Sequence, residues 1–266
     1  HLSLRRQRQM CIRDSYGGEE SFYSVAKFAP GEHDPYAMIR GAERVALDVQ
    51  MTRQELNKWV LRSHSLAKQT REAGVLEPYL VGVQGAVADA GIRDRMSERF
   101  LDKLPPLLPG GAILTAGNTC LMHDGAAFLM VASKRYVEEH NLTPLAEIVD
   151  SVTVGGNPDK SPETAIFAIR KLLAKTGHTA EDIAVFECNE AFAVIDELFA
   201  RAYPEAVDRY NRYGGALAYG HPYGASGGII TIHACRALQE TPGYAVCSIA
   251  AAGGIGHALL LRAGGM

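Results

Sequence analysis

The chain has 266 residues, of which 47% are hydrophobic and 21% charged, the balance of an ordinary folded globular protein. Its formal net charge of −3 gives no electrostatic reason to expect a nucleic-acid partner. No apolar run reaches the length of a membrane span. The five cysteines show no metal-binding spacing, and their odd number and apolar settings favour a reducing compartment, so we expect a cytoplasmic, bacterial-type protein.

Residues 1–15 differ in character from the rest of the chain. They carry four arginines, lack the apolar core of a signal peptide and do not begin with Met. A basic arm would explain them, but a non-native leader is the simpler interpretation, so they are excluded from the fold prediction. Their exclusion changes the formal charge from −3 to −6, because four Arg and one Asp are removed. The natural polypeptide is then expected to run from near Tyr16, with a part missing upstream.

The first strong helical signal covers residues 43–73. Thr52 and Glu55 have capping-box spacing, apolar residues follow at helical intervals, and Gly74 supplies a stop. Residues 75–110 show no period and contain a cluster of prolines, so they are expected to form loops and short pieces.

From residue 111 strand-like and helical segments alternate, which predicts an α/β layered architecture. One helix begins at Ser161-Pro162-Glu163, which supplies a capping residue, a proline and an acid, and it ends at Gly177. Further helices are predicted over 191–200 and 226–239. Strands are predicted, in chain order, at 113–115, 126–132, 146–154, 184–186, 244–250 and 255–261. The run 126–132 is apolar throughout, which is typical of a buried strand.

Four short segments carry residue types that catalysis uses. His221 follows a glycine-rich loop before a helix, where a general base could meet a ligand, although a structural histidine fits equally well. Asn189 lies between a buried strand and a helix, where ligands bind α/β sheets, although a helix N-cap is the simpler interpretation. Taken alone, segments 115–127 and 250–258 indicate only turns between strands.

Together, and in this order, the segments resemble the signature of the thiolase family. The matching stretches are TAGN (115–118), DGAA (124–127), NEAF (189–192), GGALAYGHPYGASG (214–227) and AAAGGIGHA (250–258). The last lacks the leading cysteine of the family motif CxxGGxGxA. Upstream, GGEES (17–21) and LRSHSLAK (61–68) are also similar to the family, and the details look closest to fatty-acid β-oxidation thiolases and the trifunctional-complex β subunit. The resemblance covers residues 16–262.

The resemblance implies a thiolase-like fold, a layered α-β-α-β-α arrangement of two similar βαβαβαββ halves with an inserted loop domain. Residues 16–143 would be the remainder of an incomplete N-terminal half, with the loop domain over about 30–110, and residues 144–266 would be the C-terminal half. The implied activity is acyl-CoA C-acyl transfer, which cleaves 3-ketoacyl-CoA or condenses acetyl-CoA through an acyl-cysteine. It implies CoA thioesters as substrates, no covalently bound cofactor, no metal, and a dimer or tetramer that could join a β-oxidation multienzyme complex.

The resemblance also assigns roles to single residues. His221 corresponds to the base that deprotonates the nucleophilic cysteine, and Asn189 to the residue whose bound water helps form an oxyanion site with that histidine. The backbone amide at Ala252 would complete a second oxyanion hole. The positions that would contact the acyl group or the CoA arm are Phe192, Gly253, Met38, Ala116 and Cys120.

The sequence departs from the family pattern at three points. The nucleophilic cysteine of the family belongs to a segment upstream of this chain, so this fragment alone is expected to be inactive. The second catalytic cysteine aligns with Ala250, which cannot exchange a proton, and losing such a group typically costs about 10²–10⁴-fold in rate. Ala37 stands where the family often has His before Met38.

Three cysteines are candidates to replace the thiol missing at Ala250. Cys247 lies three residues earlier on a predicted strand, so it should point to the opposite face, roughly 10 Å away, and it is rejected. Cys120 and Cys188 lie near matched positions, but small buried cysteines usually act as hydrophobes.

Three functional hypotheses remain open at this point. The first is an active acyl-CoA C-acyltransferase. The second, motivated by Ala250, is a catalytically impaired thiolase homologue that binds CoA or serves as a structural subunit. The third is a related decarboxylating or acyl-transferring condensing enzyme that does not need the second cysteine.

Overall fold

A computed structural model describes residues 34, 36–83, 85 and 88–264. The interpretations of the leader 1–15 and of the GGEES stretch therefore lie outside the described residues. The α-helices are α1 (Ala37–Asp48), α2 (Arg53–Glu72), α3 (Glu98–Leu101), α4 (Lys134–Glu139), α5 (Glu163–Thr176), α6 (Ala193–Ala202), α7 (Ala216–Tyr219) and α8 (Ser226–Glu240). The strands are β1 (Ala146–Gly155), β2 (Ile183–Cys188), β3 (Tyr244–Ala251) and β4 (Ile255–Ala263).

The four strands form one mixed sheet in the order β1-β4-β3-β2. β4 runs antiparallel to both of its neighbours, whereas β2 and β3 are parallel. The parallel pair brings the ends of two strands to the same edge of the sheet, since Cys188 pairs with Ser248. Asn189 therefore follows β2 beside the last residues of β3.

The two faces of the sheet bury different cores because successive strand side chains point in opposite directions. On β3, Val246 belongs to the cluster packed by α5 and α6, whereas Ala245 and Cys247 belong to the cluster packed by α8. β4 alternates in the same way, with Leu260 on the α5 side and Leu261 on the α8 side. The sheet is thus the middle layer of a helix–sheet–helix sandwich.

A third core joins α1 and α2 to the outer side of α6. Its fully buried members include Val45 of α1, Leu56 and Val60 of α2, and Val194 of α6. Trp59 of α2 reaches further, because its indole nitrogen donates to Glu197 at 2.9 Å and its ring meets the edge of Tyr210. This packing holds α1 and α2 against α6 and therefore against one face of the helix–sheet–helix sandwich.

The sequence predicted one helix over 43–73, and the structure has two. The helices α1 and α2 are separated at Gln50, whose left-handed φ of 54° the sequence pattern did not reveal. Thr52 and Glu55 form the predicted capping box, and Gly74 follows α2 with a φ of 66°. The α/β alternation, the four strands from residue 146 onward and the helices starting near residues 163, 191 and 226 are confirmed.

The predicted strand at 113–115 is wrong, and the reason is electrostatic. The buried carboxylate of Glu43 accepts hydrogen bonds from the backbone amides of Ala112, Ile113 and Leu114 at 2.7, 3.0 and 2.8 Å. These amides are therefore paired with a side chain of α1 instead of with a neighbouring strand.

The predicted buried strand at 126–132 is wrong as well. The segment has no regular secondary structure, and Phe128, Met130 and Val131 are 84, 78 and 74% exposed. An apolar run is buried only where another strand and a covering layer meet it, and no strand of the described residues pairs with this segment.

We expect Glu43→Ala to lower the free energy of unfolding by about 3 kcal/mol, because it leaves the buried amide of Leu114 and the part-buried amides of Ala112 and Ile113 without their acceptor. Urea unfolding followed by circular dichroism measures this loss. Glu72→Ala is the matched control, since that carboxylate is 59% exposed and 3.8 Å from Lys68, and its change should stay within about 0.5 kcal/mol. Equal effects of the two substitutions would contradict the anchoring role of Glu43.

Candidate active site

His221 follows the short helix α7 and is held through its backbone. Its amide donates to the carbonyl of Leu121 at 2.8 Å, and His221 forms a parallel β-bridge with Met122. Gly220 before it has a φ of 89°, and a β-carbon there would collide with the imidazole of His123. A glycine is thus required at this position both by the turn and by the close approach of His123. Sequence reasoning did not identify His123 as a neighbour of His221.

Asn189 extends from the end of β2 toward the same imidazole. Its backbone amide donates to the carbonyl of Ser248 at 3.0 Å, which continues the pairing of β2 with β3. Its side-chain amide lies 3.5 Å from Nδ1 of His221, a long hydrogen-bonding distance. The structure therefore brings the two predicted catalytic residues together.

Ser226 is the nearest polar partner of His221, and sequence reasoning did not assign it a role. Its hydroxyl lies 2.5 Å from Nδ1 of the imidazole, and the side chain is buried at the start of α8. The available signal was its place in the same motif, five residues after the histidine. With Nδ1 engaged by Ser226, base chemistry falls to Nε2.

Burial lowers the pKa of His221 to about 4, so the imidazole is neutral at pH 7. A neutral ring holds a lone pair that can take a proton, which a general base requires. The nearby ring of Tyr223, 5.0 Å away between centroids, contributes to this apolar setting.

The segment that begins with TAGN at Thr115 passes between the loop after β2, which carries Asn189, and the loop that carries His221. Thr119 forms a bridge with Phe192, and the amide of Cys120 donates to the carbonyl of Ala191 at 3.0 Å. Asn118 closes the turn, since its side chain accepts from the amide of Thr115 at 2.8 Å. Burial, and secondarily the charge of Glu190, raise the pKa of the Cys120 thiol to about 12, which keeps it protonated.

The remaining predicted contacts of the acyl group and CoA arm are more dispersed. Phe192 is buried in the core between α1, α2 and α6, Met38 packs against the edge of that core, and Ala116 is exposed in its turn. No hydrogen bond or ring contact joins Met38 or Ala116 to His221 within the described ranges.

Ala250 lies near the end of β3, and the turn that follows carries Ala252 and Gly253. Ala250 pairs with Gly256, and its side chain packs on the α5 face of the sheet. Gly253 adopts a φ of 82°, and the half-exposed Ala252 precedes it. The turn thus presents backbone groups rather than a proton-exchanging side chain.

The rejection of Cys247 as a replacement thiol is confirmed. Cys247 belongs to the core on the α8 face, opposite Ala250, and its thiol lies 3.7 Å from the carbonyl of Ile230. Cys188 is buried on the α5 face, and burial raises the pKa of both thiols well above the usual range.

Glu190 organises the loops behind the site, and sequence reasoning did not identify it. Its buried carboxylate accepts from the hydroxyl of Ser63 at 2.7 Å, from the Asn211 amide at 3.0 Å and from the backbone amide of Leu217 at 3.2 Å. It therefore ties α2, the loop after residue 210 and α7 to the end of β2.

Neither a metal site nor a membrane-spanning helix is present in the described residues. No group of three or more His, Cys, Asp and Glu side chains in the described ranges is arranged to hold a metal ion. No helix there is long and apolar enough to cross a membrane.

Comparison with known proteins decides the family. The family model described as "Thiolase, C-terminal domain" matches residues 142–263, and "Thiolase, N-terminal domain" matches residues 28–135. The chain belongs to the thiolase family.

Individual thiolases support the same assignment. An acetyl-CoA acetyltransferase of Synechocystis is 37% identical over 82% of this chain and 58% of its own length. The mitochondrial trifunctional enzyme subunit beta of Rattus norvegicus is 32% identical over 90% of this chain and 54% of its own length. The structure of human mitochondrial 3-ketoacyl-CoA thiolase in complex with CoA superposes with a TM-score of 0.79, at 32% identity, over 85% of this chain and 58% of that one. The predicted thiolase-like α/β fold is confirmed, and the chain spans less than two thirds of the length of each relative.

The neutral state of His221 can be measured directly. We expect its imidazole C–H resonances to titrate with a midpoint near pH 4, because burial opposes the charged ring. An NMR titration of the folded protein measures the midpoint, and His221→Asn identifies the resonances. A midpoint at or above the ordinary value of 6.5 would show that the ring is solvated and not poised as a neutral base.

Proposed function

We propose that this protein is an acyl-CoA C-acyltransferase that cleaves 3-ketoacyl-CoA or, in reverse, condenses acetyl-CoA. The observation that supports it best is the setting of His221, whose Nδ1 lies 2.5 Å from the Ser226 hydroxyl and 3.5 Å from the side-chain amide of Asn189. The substrates are CoA thioesters, in keeping with the acetyl-CoA acetyltransferase and the CoA-bound 3-ketoacyl-CoA thiolase among the relatives, and no covalently bound cofactor takes part.

His221 acts as the general base of the reaction. Its Nε2 takes the proton of the family's nucleophilic cysteine, and the thiolate attacks the 3-keto carbonyl of the substrate. The bond between that carbonyl carbon and the α-carbon then breaks, acetyl-CoA leaves once its α-carbon has gained a proton, and the acyl-cysteine of a ping-pong route remains. Asn189 holds a water molecule that helps form an oxyanion site together with His221. The backbone amide of Ala252 completes a second oxyanion hole.

The proposed substrate contacts are Met38, Ala116 and Cys120 along the CoA arm and Phe192 and Gly253 near the acyl group. The segment from Thr119 to Cys120 supports this arrangement, since it lies against Phe192 and Ala191. We further propose that residues 16–143 belong to the N-terminal half, with the loop domain over about 30–110, and that residues 144–266 form the C-terminal half.

The protein is proposed to work as a homo-oligomer, and association with a β-oxidation complex is the finer proposal. A trifunctional enzyme subunit beta among the relatives supports the latter. A cytoplasmic, bacterial-type location is proposed from the cysteines, since Cys120, Cys188, Cys235 and Cys247 are all unpaired.

Ala250 is the observation that favoured a catalytically impaired homologue, and the comparisons give that alternative no support. The side chain is a methyl group packed against the α5 core, so it supplies no proton transfer. The decisive question is therefore whether the intact site turns substrate over.

Acetoacetyl-CoA thiolysis by the full-length gene product tests the proposal, with loss of the enolate absorbance as the measurement. We expect measurable turnover, and a loss of about 10²–10⁴-fold in kcat on His221→Ala, because the general base is removed. Turnover that is unchanged in His221→Ala would contradict the role of the base.

Ala250→Cys tests the missing acid/base group in the same assay. We expect kcat to rise, by up to about 10²–10⁴-fold if proton abstraction limits the rate. Ala251→Cys is the matched control, because this exposed neighbour points to the other face of β3 and should not change kcat. Absence of turnover in both the wild type and Ala250→Cys would leave CoA binding, measured by calorimetry, as the function.

A further inference from the structure

A narrow cavity adjoins the His221–Ser226 pair on the side of α7 and α8. The space open to the centre of a water molecule is about 10 Å³. Its polar lining comes from Asn189, Ser226 and His233, and its apolar lining includes Ile229 and Ile230. A space of this size holds about one water molecule if two or more polar groups line it.

His233 connects this cavity with a buried carboxylate. His233 of α8 is 5% exposed and Glu187 of β2 is 1% exposed, and Nδ1 of the imidazole lies 3.7 Å from the nearer carboxylate oxygen. This distance is too long for a direct hydrogen bond. Neither Nδ1 of His233 nor Oε1 of Glu187 has a hydrogen-bond partner in the described residues.

Such a pair is costly unless it has a role or a missing partner. A buried polar atom without a partner destabilises the fold, and a hydrogen on Nδ1 of His233 that faces the Glu187 carboxylate offsets part of that cost. The pair is also unusually enclosed, since the rings of Tyr219 and Tyr213 meet the edge of His233 at centroid distances of 5.4 and 6.0 Å.

The charged and titratable groups around the pair come from several elements. Asp89 interacts electrostatically with His233, and Arg62, Glu190 and Cys247 interact with Glu187. Within this set Glu187 lies 3.7 Å from Nδ1 of His233, so its carboxylate favours a hydrogen on that ring nitrogen.

We propose that the cavity holds an ordered water molecule, and that His233 and Glu187 act through it as positioning residues for His221. Nδ1–H of His233 faces the Glu187 carboxylate across 3.7 Å, as an electrostatic contact rather than a hydrogen bond, and this leaves Nε2 to accept a hydrogen from the water. The water accepts from the hydroxyl of Ser226, whose oxygen accepts from Nδ1–H of His221. Every hydrogen in this chain points toward the carboxylate, so His221 is fixed in the tautomer with its lone pair at Nε2.

This inference deepens the proposed function, because Nε2 is the atom that would take the thiol proton. Nothing is transferred along the chain in the resting protein, and no co-reactant is needed. The chain of hydrogen bonds removes the tautomer in which Nε2 carries the hydrogen and the base is blocked.

Long-range ¹H–¹⁵N NMR of ¹⁵N-histidine-labelled protein tests the proposal, because it identifies which ring nitrogen carries the hydrogen. In the wild type we expect His221 in the Nδ1–H form alone. In His233→Leu, which keeps the bulk and removes the acceptor, we expect loss of this single form and a mixture of both tautomers. His233→Gln, which retains an acceptor, should restore the single form.

Ser226→Ala serves as the positive control, since it removes the direct partner of His221, and thermal unfolding confirms that each variant is folded. If His233→Leu does not fold, Glu187→Leu carries the same expectation. A folded variant that keeps the single Nδ1–H form while Ser226→Ala loses it would overturn the proposal, and so would a high-resolution crystal structure with no water in the cavity. The tautomer does not depend on turnover, so failure of the thiolysis assay and failure of this proposal are separate results.

Discussion

The site depends on one buried carboxylate, that of Glu190. It binds the Ser63 hydroxyl of α2, the Asn211 amide and the first turn of α7, whose end carries Gly220 and His221. Gly215 has to be a glycine, since a β-carbon there would collide with this carboxylate. Burial raises the pKa of Glu190 while its three donors oppose the rise, so the charge is tolerable only with all of them in place. The histidine loop and the helix from the N-terminal region are thus held by the same group.

The parts of the fold that could be predicted from sequence are those that local patterns determine. The alternation along β3 and β4 predicts two buried faces, and the structure places α5 on one and α8 on the other. Helix ends with a capping box or a glycine stop, such as Thr52 and Gly177, were predicted to within a residue. The same alternation placed Cys247 on the face opposite Ala250, because a period of two residues leaves no freedom once the strand is fixed.

The parts that could not be predicted depend on partners far away in sequence. Glu43 binds amides about 70 positions later, and no pattern around Ile113 announces this. The apolar run at 126–132 has the composition of a buried strand, yet a strand needs a neighbour, and the described sheet does not extend to it. Ser226 lay within a motif used to identify the family, but its role depends on a fold that turns it back onto His221. The sequence shows that Ser226 is part of the motif, but only the structure shows that it contacts His221.

Burial determines the protonation states of the cysteines and of His221 in and around the site. Cys120, Cys188 and Cys247 all have thiol pKa values raised by burial, so they are protonated and poor at accepting a proton. Burial therefore keeps these thiols protonated in the resting protein. The same physical effect has the opposite consequence for His221, because burial of a base favours its neutral form, which is the form that accepts a proton. Ser226 holds Nδ1 of His221, and the ring of His123 lies close against Gly220 next to it, so the hydrogen bonds at Nδ1 determine which nitrogen of the buried His221 imidazole is left to accept a proton.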